Sequence, residues 1–272
     1  MTISNDFREI WNFPHRLGAI DGKHISMGCP LNSGSQFFNY KEFFSLVLLA
    51  VCDARYCFTF VHIGNYGCHN DSSVFFYSDL GKELEGGKMA LPVAEALDGF
   101  PDFLMPNNLV GDKAFALKSW MQRPFPGKYI IEEKRIYNYR LLRARRTIEN
   151  TFGIMVARRR ILAQPISTSV DTAEKIIQKI VCLHNYLRQT NCATYCPQGF
   201  LDSEDATGNI KLGEWRGVVG GGGAFAPLAP GRGSRHMQYA AKAQELLKDD
   251  LNSEHGSVSC EWDYVKSKGP TL

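Results

Sequence analysis

Asp21 and Asp112 each close a short apolar run beside a glycine, in Ala-Ile-Asp-Gly (19–22) and Leu-Val-Gly-Asp (109–112). A third acid, Glu149, falls within a long helical pattern. Carboxylates are hard oxygen ligands suited to Mg2+ or Mn2+. Three of them can hold two such cations about 4 Å apart, which activates a water and stabilises the leaving oxygen of a phosphodiester. Plainer readings stand beside this one. A lone Asp at a strand-to-loop junction commonly forms a turn, and Glu149 can pair with Arg145 or Arg146 one turn earlier. The spacing permits metal chemistry without establishing it.

The elements that must position these acids follow from periodicity. Residues 17–27 suit a strand whose end carries Asp21, and Asn108–Asp112 suits a second strand ending at an acid. Acids at neighbouring strand ends can converge at one sheet edge, where ligands bind in open α/β architectures. Residues 45–52 (Ser-Leu-Val-Leu-Leu-Ala-Val-Cys) are almost wholly apolar, as in a strand covered on both faces. With 56–63 and the intervening Asp53-Ala54-Arg55 they predict a hairpin. One helix is expected from Asp71 to about Leu84, a long one over 136–160, and another over 170–189 opened by Ser169 or Asp171. On the long helix, Leu142, Glu149, Gly153 and Val156 share one side, so Glu149 is expected among apolar groups, an arrangement that needs a partner or a metal. Val218–Gly233, with Gly220–Gly223, reads as a flexible linker before a short helix over 234–251.

Charge is distributed unevenly. The net charge of +3 is too small to announce a nucleic-acid partner, yet residues 134–160 hold nine Lys or Arg and one acid. Arg140, Arg143, Arg145, Arg146 and Arg158–Arg160 could line a groove for phosphates, or form a solvated helix face. The eight cysteines include no CxxC pair, and Cys192 and Cys196 lack the second pair a structural zinc site would need. No signal-peptide pattern follows Met1, and 43–52 is too short to span a bilayer. His24 and His184 read most economically as packed or hydrogen-bonded histidines.

Longer motifs resemble the PIF/Harbinger-type DDE transposases and the domesticated nucleases derived from them. The resemblance is carried by residues 11–25 (Trp-Asn-Phe-Pro-His-Arg-Leu-Gly-Ala-Ile-Asp-Gly-Lys-His-Ile), 38–41 (Phe-Asn-Tyr-Lys), 47–54 and Val-Gly-Asp at 110–112. It is most specific over 137–155, with Arg-Arg-Thr-Ile-Glu-Asn-Thr-Phe-Gly at its centre, and it runs from about Trp11 to Arg188. It implies an RNase H-like α/β fold, a mixed five-stranded sheet with helices on both faces, over 17–190. A lead-in (1–16) would precede it and a C-terminal extension (191–272) follow.

By motif, Asp21, Asp112 and Glu149 become catalytic and metal-binding acids for two divalent cations, Mg2+ or Mn2+. Asp71 in His-Asn-Asp-Ser matches a further acidic position that the family carries near its site, which would make it a fourth metal ligand, with an N-cap as its plainer role. Lys23, Lys113, Arg143, Arg145, Arg146 and Arg158 are the expected DNA contacts. The implied activity is metal-dependent DNA cleavage in the nucleus, with the cytoplasm as a second compartment. A homo-oligomer is compatible with the resemblance, and no membrane is involved.

The chain also departs from the pattern. Gly-Asp-Lys-Ala-Phe (111–115) stands where Gly-Asp-Ser-Gly-Tyr is expected, which puts Lys113 beside the second acid. Only ten residues precede Trp11, so the helical DNA-reading portion usual in the family has no counterpart there. Either the sequence is truncated at that end, or site choice is expected from a separate helix-turn-helix partner. A competing reading is a catalytically silent domesticated transposase that binds DNA or protein. A haloacid-dehalogenase-type phosphatase fails because Asp21-Gly22-Lys23 lacks a second acid two residues on.

Overall fold

In the computed structural model, residues 2–205, 208–219, 225–228, 238–258, 261–262 and 265 are described. Along the chain, α1 (Ile3–Trp11) leads into β1 (Arg16–Ser26), β2 (Ser45–Cys52) and β3 (Phe58–Tyr66). The short helices α2 (Asp71–Tyr77) and α3 (Asp79–Glu85) follow. Next come the hairpin β4 (Glu95–Leu97) and β5 (Phe100–Met105), then β6 (Asn108–Val110) and β7 (Met121–Gln122). The long α4 (Glu132–Arg158) precedes α5 (Val170–Thr190) and α6 (Cys192–Tyr195). Beyond them lie β8 (Ser203–Glu204), β9 (Ile210–Lys211), α7 (Trp215–Val219), β10 (Phe225–Pro227) and α8 (Gln238–Leu251).

The central sheet is mixed, in the order β3-β2-β1-β6-β7, with β10 also paired to β1. Strand β2 is buried throughout, as its unbroken apolar run requires. Its alternate residues serve different layers: Leu46, Leu48, Ala50 and Cys52 pack with residues of α4 and α5, while Val47, Leu49 and Val51 pack with α2 and α3. Helices therefore cover both faces. The hairpin turn is held by Asp53, whose Oδ1 accepts from the amides of Arg55 and Cys57.

Several expectations are corrected. Strand β1 does not end at Asp21 but continues to Ser26, because β2 pairs with it all the way from Ala19 to Ser26. The single helix expected over 71–84 is two helices: Ser78 has extended ψ and caps α3 through its side chain, which accepts from the Gly81 amide. Asn70, not Asp71, is the N-cap of α2, in a capping box with Ser73. The linker expected over 218–233 is in part ordered structure, since Phe225–Pro227 pairs antiparallel with Lys23–Ile25; residues 220–224 and 229–233 lie outside the described residues. The last expected helix is described over Gln238–Leu251; residues 234–237 of its expected span lie outside the described residues.

The extension is bound to α4 by its arginines. Fully buried Arg140 pairs with Glu261 and donates to the carbonyls of Asn12 and Gly256. Arg143 pairs with Glu204 at 2.7 Å, and Arg146 lies 3.9 Å from the same carboxylate. Trp215 lies against Gly153, where a Cβ would stand 2.4 Å from the indole, and its Nε1 donates to Asn150 Oδ1. Among the described residues no helix is long and apolar enough to cross a membrane.

Candidate active site

The site is built at a split in the sheet. One edge of β1 is taken by β2. The other carries β6 in parallel over Arg16–Ala19 and β10 in antiparallel over Lys23–Ile25. Residues 20–22 fall between the two partners, and Asp21 is the acid at that gap. Asp112 lies two residues past Val110 just as Asp21 lies two past Ala19, and Ala19 and Val110 are register partners. The two acids therefore leave adjacent strands at the same level. By strand alternation Asp21 shares the α4 side with Ala19, and Asp112 lies just beyond the end of β6. A turn fixes Asp112, whose Oδ1 accepts from the Ala114 amide.

Glu149 comes from α4 and reaches Arg145 at 2.7 Å, one turn earlier. It is about a third exposed, and Leu142, expected on the same buried stripe, is exposed as well. The stripe thus opens to solvent at Leu142 and Glu149 but is buried at Gly153 and Val156, and the ion pair considered for Glu149 is present. A pocket of about 200 Å3 opens beside it, lined by Lys23, Glu149, Phe152, Trp215, Arg216 and Phe225 among others.

Two cations stand among the acids. Lys23 Nζ lies 2.7 Å from Asp21 Oδ2. Burial pulls the Arg145 guanidinium down, but the charges of Asp21, Glu149, Asp112 and Asp71 together hold its pKa above the ordinary value. Arg145 thus senses all four carboxylates. Asp71, the first residue of α2, is buried, and its Oδ1 has no hydrogen-bond partner. That oxygen lies against the backbone of Gly22, where a Cβ would stand 2.2 Å from it. Burial first, then the charges of Asp21 and Asp112, hold the Asp71 carboxyl well above the usual range, with Lys23 and Arg145 opposing.

These observations bear on whether a metal suits the site. An orphaned buried carboxylate oxygen beside two further acids is a hard-donor set looking for a cation. In the arrangement present, no group of three His, Cys, Asp or Glu side chains among the described residues is disposed to hold an ion. Lys23 and Arg145 instead pair with Asp21 and Glu149. The donor set fits a divalent cation in chemistry, and its ammonium and guanidinium stand in for that charge.

The expected DNA contacts separate into two groups. Lys113 is exposed beside Asp112. Lys23, Arg143, Arg145 and Arg146 have acidic partners, while Arg158 donates to the Tyr195 carbonyl and lies over the Phe200 ring. The arginine-rich helix was expected to line a groove; most of its guanidiniums are spent inside the molecule. His24 and His184 are packed: His24 Nδ1 lies 3.0 Å from Ser45 Oγ, and His184 bridges the Tyr195 hydroxyl and the Tyr56 carbonyl. Cys192 Sγ accepts from Arg188 at 3.0 Å. What the sequence did not signal is β10, a three-residue strand in a glycine- and proline-rich stretch with no alternation long enough to read.

A family profile described as DDE superfamily endonuclease matches residues 20–185, the segment that carries all four acids. The chain belongs to that family. Among curated relatives, Protein ALP1-like of Arabidopsis thaliana is 34% identical over 134 residues, covering 46% of this chain and 31% of that protein. Putative nuclease HARBI1 of Homo sapiens is 26% identical over 188 residues, covering 67% of this chain and 49% of that protein. The Bos taurus protein of the same name is 25% identical with the same coverage. The resemblance to Harbinger transposase-derived nucleases is therefore shown, and the matched segment spans about a third to a half of those relatives' length. No solved structure gives a significant match.

Proposed function

We propose that this DDE endonuclease-family chain is a divalent-metal-dependent DNA endonuclease of RNase H-like architecture, with Asp21, Asp112 and Glu149 as its catalytic acids and residues 17–190 as the nuclease domain. The observation that carries the reading is the placement of Asp21 and Asp112 each two residues past the register partners Ala19 and Val110 of adjacent parallel strands, beside an open stretch of the β1 edge, with Glu149 joined to the same charge cluster through Arg145. Asp21, Asp112 and Glu149 would hold two cations, Mg2+ or Mn2+. When bound, these supply an activated water and stabilise the leaving oxygen of the phosphodiester. In the reaction a water oxygen bonds to phosphorus, the opposite P–O bond breaks, and the leaving oxygen gains a proton.

The protein's own contribution is positional. The β1/β6 register sets the separation of the two aspartates, and the Asp112 turn restrains its carboxylate. Exposed Lys113 would meet a phosphate, steering DNA without reading its sequence. Base-specific choice of a site would come from a separate helix-turn-helix partner, and a DNA substrate puts the working compartment in the nucleus. The test is nicking of supercoiled plasmid with Mn2+. Wild-type protein should convert it to open circles, while Asp21→Asn, Asp112→Asn and Glu149→Gln should each lose at least a hundredfold in rate. A variant that keeps the wild-type rate would remove that acid from the catalytic set.

A further inference from the structure

The C-terminal extension does not close flat on α4. Together with α4 and β1, α7 and β10 enclose the opening of about 200 Å3 beside Glu149. Protein interiors leave few voids larger than a water. The sequence even gives up helix stability at Gly153 to bring Trp215 close to α4, yet this space stays unfilled. Its lining is uneven in chemistry. Three of its walls are aromatic, Phe152, Trp215 and Phe225, and the two phenylalanine rings meet edge to face with centroids 5.6 Å apart. Its charges are Lys23, Glu149 and Arg216. Arg216 is fixed from two sides, by the Asp202 carboxylate and by the Trp215 ring 4.5 Å away.

Such a pocket suits a flat heteroaromatic ring with hydrogen-bonding edges. Aromatic side chains and guanidinium planes are surfaces on which nucleobases stack. A carboxylate accepts from a base amino group, and an ammonium donates to a ring nitrogen or carbonyl oxygen. Size limits the occupant to one ring system, because the opening is smaller than the roughly 300–1,000 Å3 of sites for drug-sized ligands. Position then selects among flat rings. Lys23 belongs both to the pocket and to the acidic cluster, where it lies 2.7 Å from Asp21. A phosphate at that cluster has the base of its own or the adjacent nucleotide within reach of the pocket. In a paired duplex that base is stacked, so it enters only by leaving the helix, at a cost that is least where it is already unpaired.

Resting on the nuclease reading above and adding a substrate preference to it, we infer that this pocket takes one unpaired nucleobase beside the scissile phosphate. The chain therefore favours DNA with an extruded base over fully paired duplex.

The experiment is equilibrium binding of the full chain to three duplexes of one sequence, in EDTA so that no cleavage intervenes. One duplex is fully paired, one carries a single bulged 2-aminopurine, and one carries the same bulge without a base. Wild-type protein should bind the base-bearing bulge at least tenfold tighter than either of the others, and 2-aminopurine emission should fall as the base stacks. Val219→Trp, which fills the opening from α7, should bind the two bulged duplexes equally. Phe225→Ala, which removes one wall, offers a second route to the same loss, and thermal melts report whether each variant is folded. Equal affinity of wild-type protein for the base-bearing and abasic bulges overturns the assignment even if neither variant folds. A folded Val219→Trp or Phe225→Ala chain that keeps the full preference does so too. A chain that shows the preference but never nicks plasmid with Mn2+ keeps the pocket and refutes the nuclease reading, and one that nicks without the preference does the reverse.

Discussion

Gly153 shows how one residue can tie two distant segments together. Within a helix, glycine is worse than alanine by about 1 kcal/mol, so propensity alone says that Gly153→Ala stabilises. The structure says the reverse: the added methyl would enter the indole of Trp215, only 2.4 Å from the Cβ position. Trp215 cannot retreat freely, because Arg216 lies over its ring and its Nε1 is bonded to Asn150. We expect a net loss of about 1–3 kcal/mol, read as a lower melting temperature with altered tryptophan emission. A higher melting temperature with unchanged emission would show that Trp215 yields at no cost. The proposed acids Asp21, Asp112 and Glu149 could be picked out of the sequence because each stands in a readable run or motif. Asp71 was harder: it neighbours a good N-cap residue, and burial of its carboxylate depends on β1 and the Asp112 turn, both far off in sequence.

At the scale of elements, α4 illustrates why charge composition misleads. Its arginines predicted a phosphate-binding surface, but sequence cannot reveal that residues 200–265 would bring acids back to meet them. Replacing Arg143 and Arg146 together by alanine leaves the partly buried Glu204 without a charge partner, with only the Tyr139 hydroxyl still donating to it, which should cost about 1–3 kcal/mol while leaving the salt dependence of DNA binding as it was. Lys113→Ala should do the opposite: stability is retained, and the logarithmic salt slope falls by roughly one. Unfolding curves and binding isotherms over a range of salt separate the two, and a flattened slope in the double arginine variant would restore α4 as a DNA-facing element. The long helix, α5 and the β2–β3 hairpin were readable because their periodicities are long and, for α5, because Ser169 caps it; α4 begins at Glu132 rather than 136, with no side-chain cap to mark its start. The break at Ser78 was not, since an extended residue that caps a new helix interrupts the apolar pattern too briefly to notice.

At the scale of the molecule, three buried histidines in different parts of the fold set its tolerance of acid. Burial pushes His15, His24 and His184 each down to about 4, with arginine or lysine charges nearby acting in the same direction. The unfolded chain takes up protons at these residues near pH 6.5, while the folded one does not until about pH 4. Their neutral forms therefore contribute fully above pH 6.5, and stability falls as the pH drops from there toward 4, by about 1.4 kcal/mol per unit for each histidine. Urea midpoints measured from pH 7 to 4.5 should decline through that window; a flat profile would mean the histidines are charged or hydrated in the fold.

The division of one edge of β1 between β6 and β10 has a consequence for how the protein is made. Its far half waits for a partner encoded about 200 residues downstream, roughly 10–40 s later at ordinary ribosomal speed. Until then a nascent chain that already has β1, β2 and β3 shows unpaired amides at Lys23–Ile25, the kind of template on which strands from neighbouring chains aggregate. Synthesis should therefore pass through an interval in which a chaperone, rather than the protein itself, covers the strand beside Asp21.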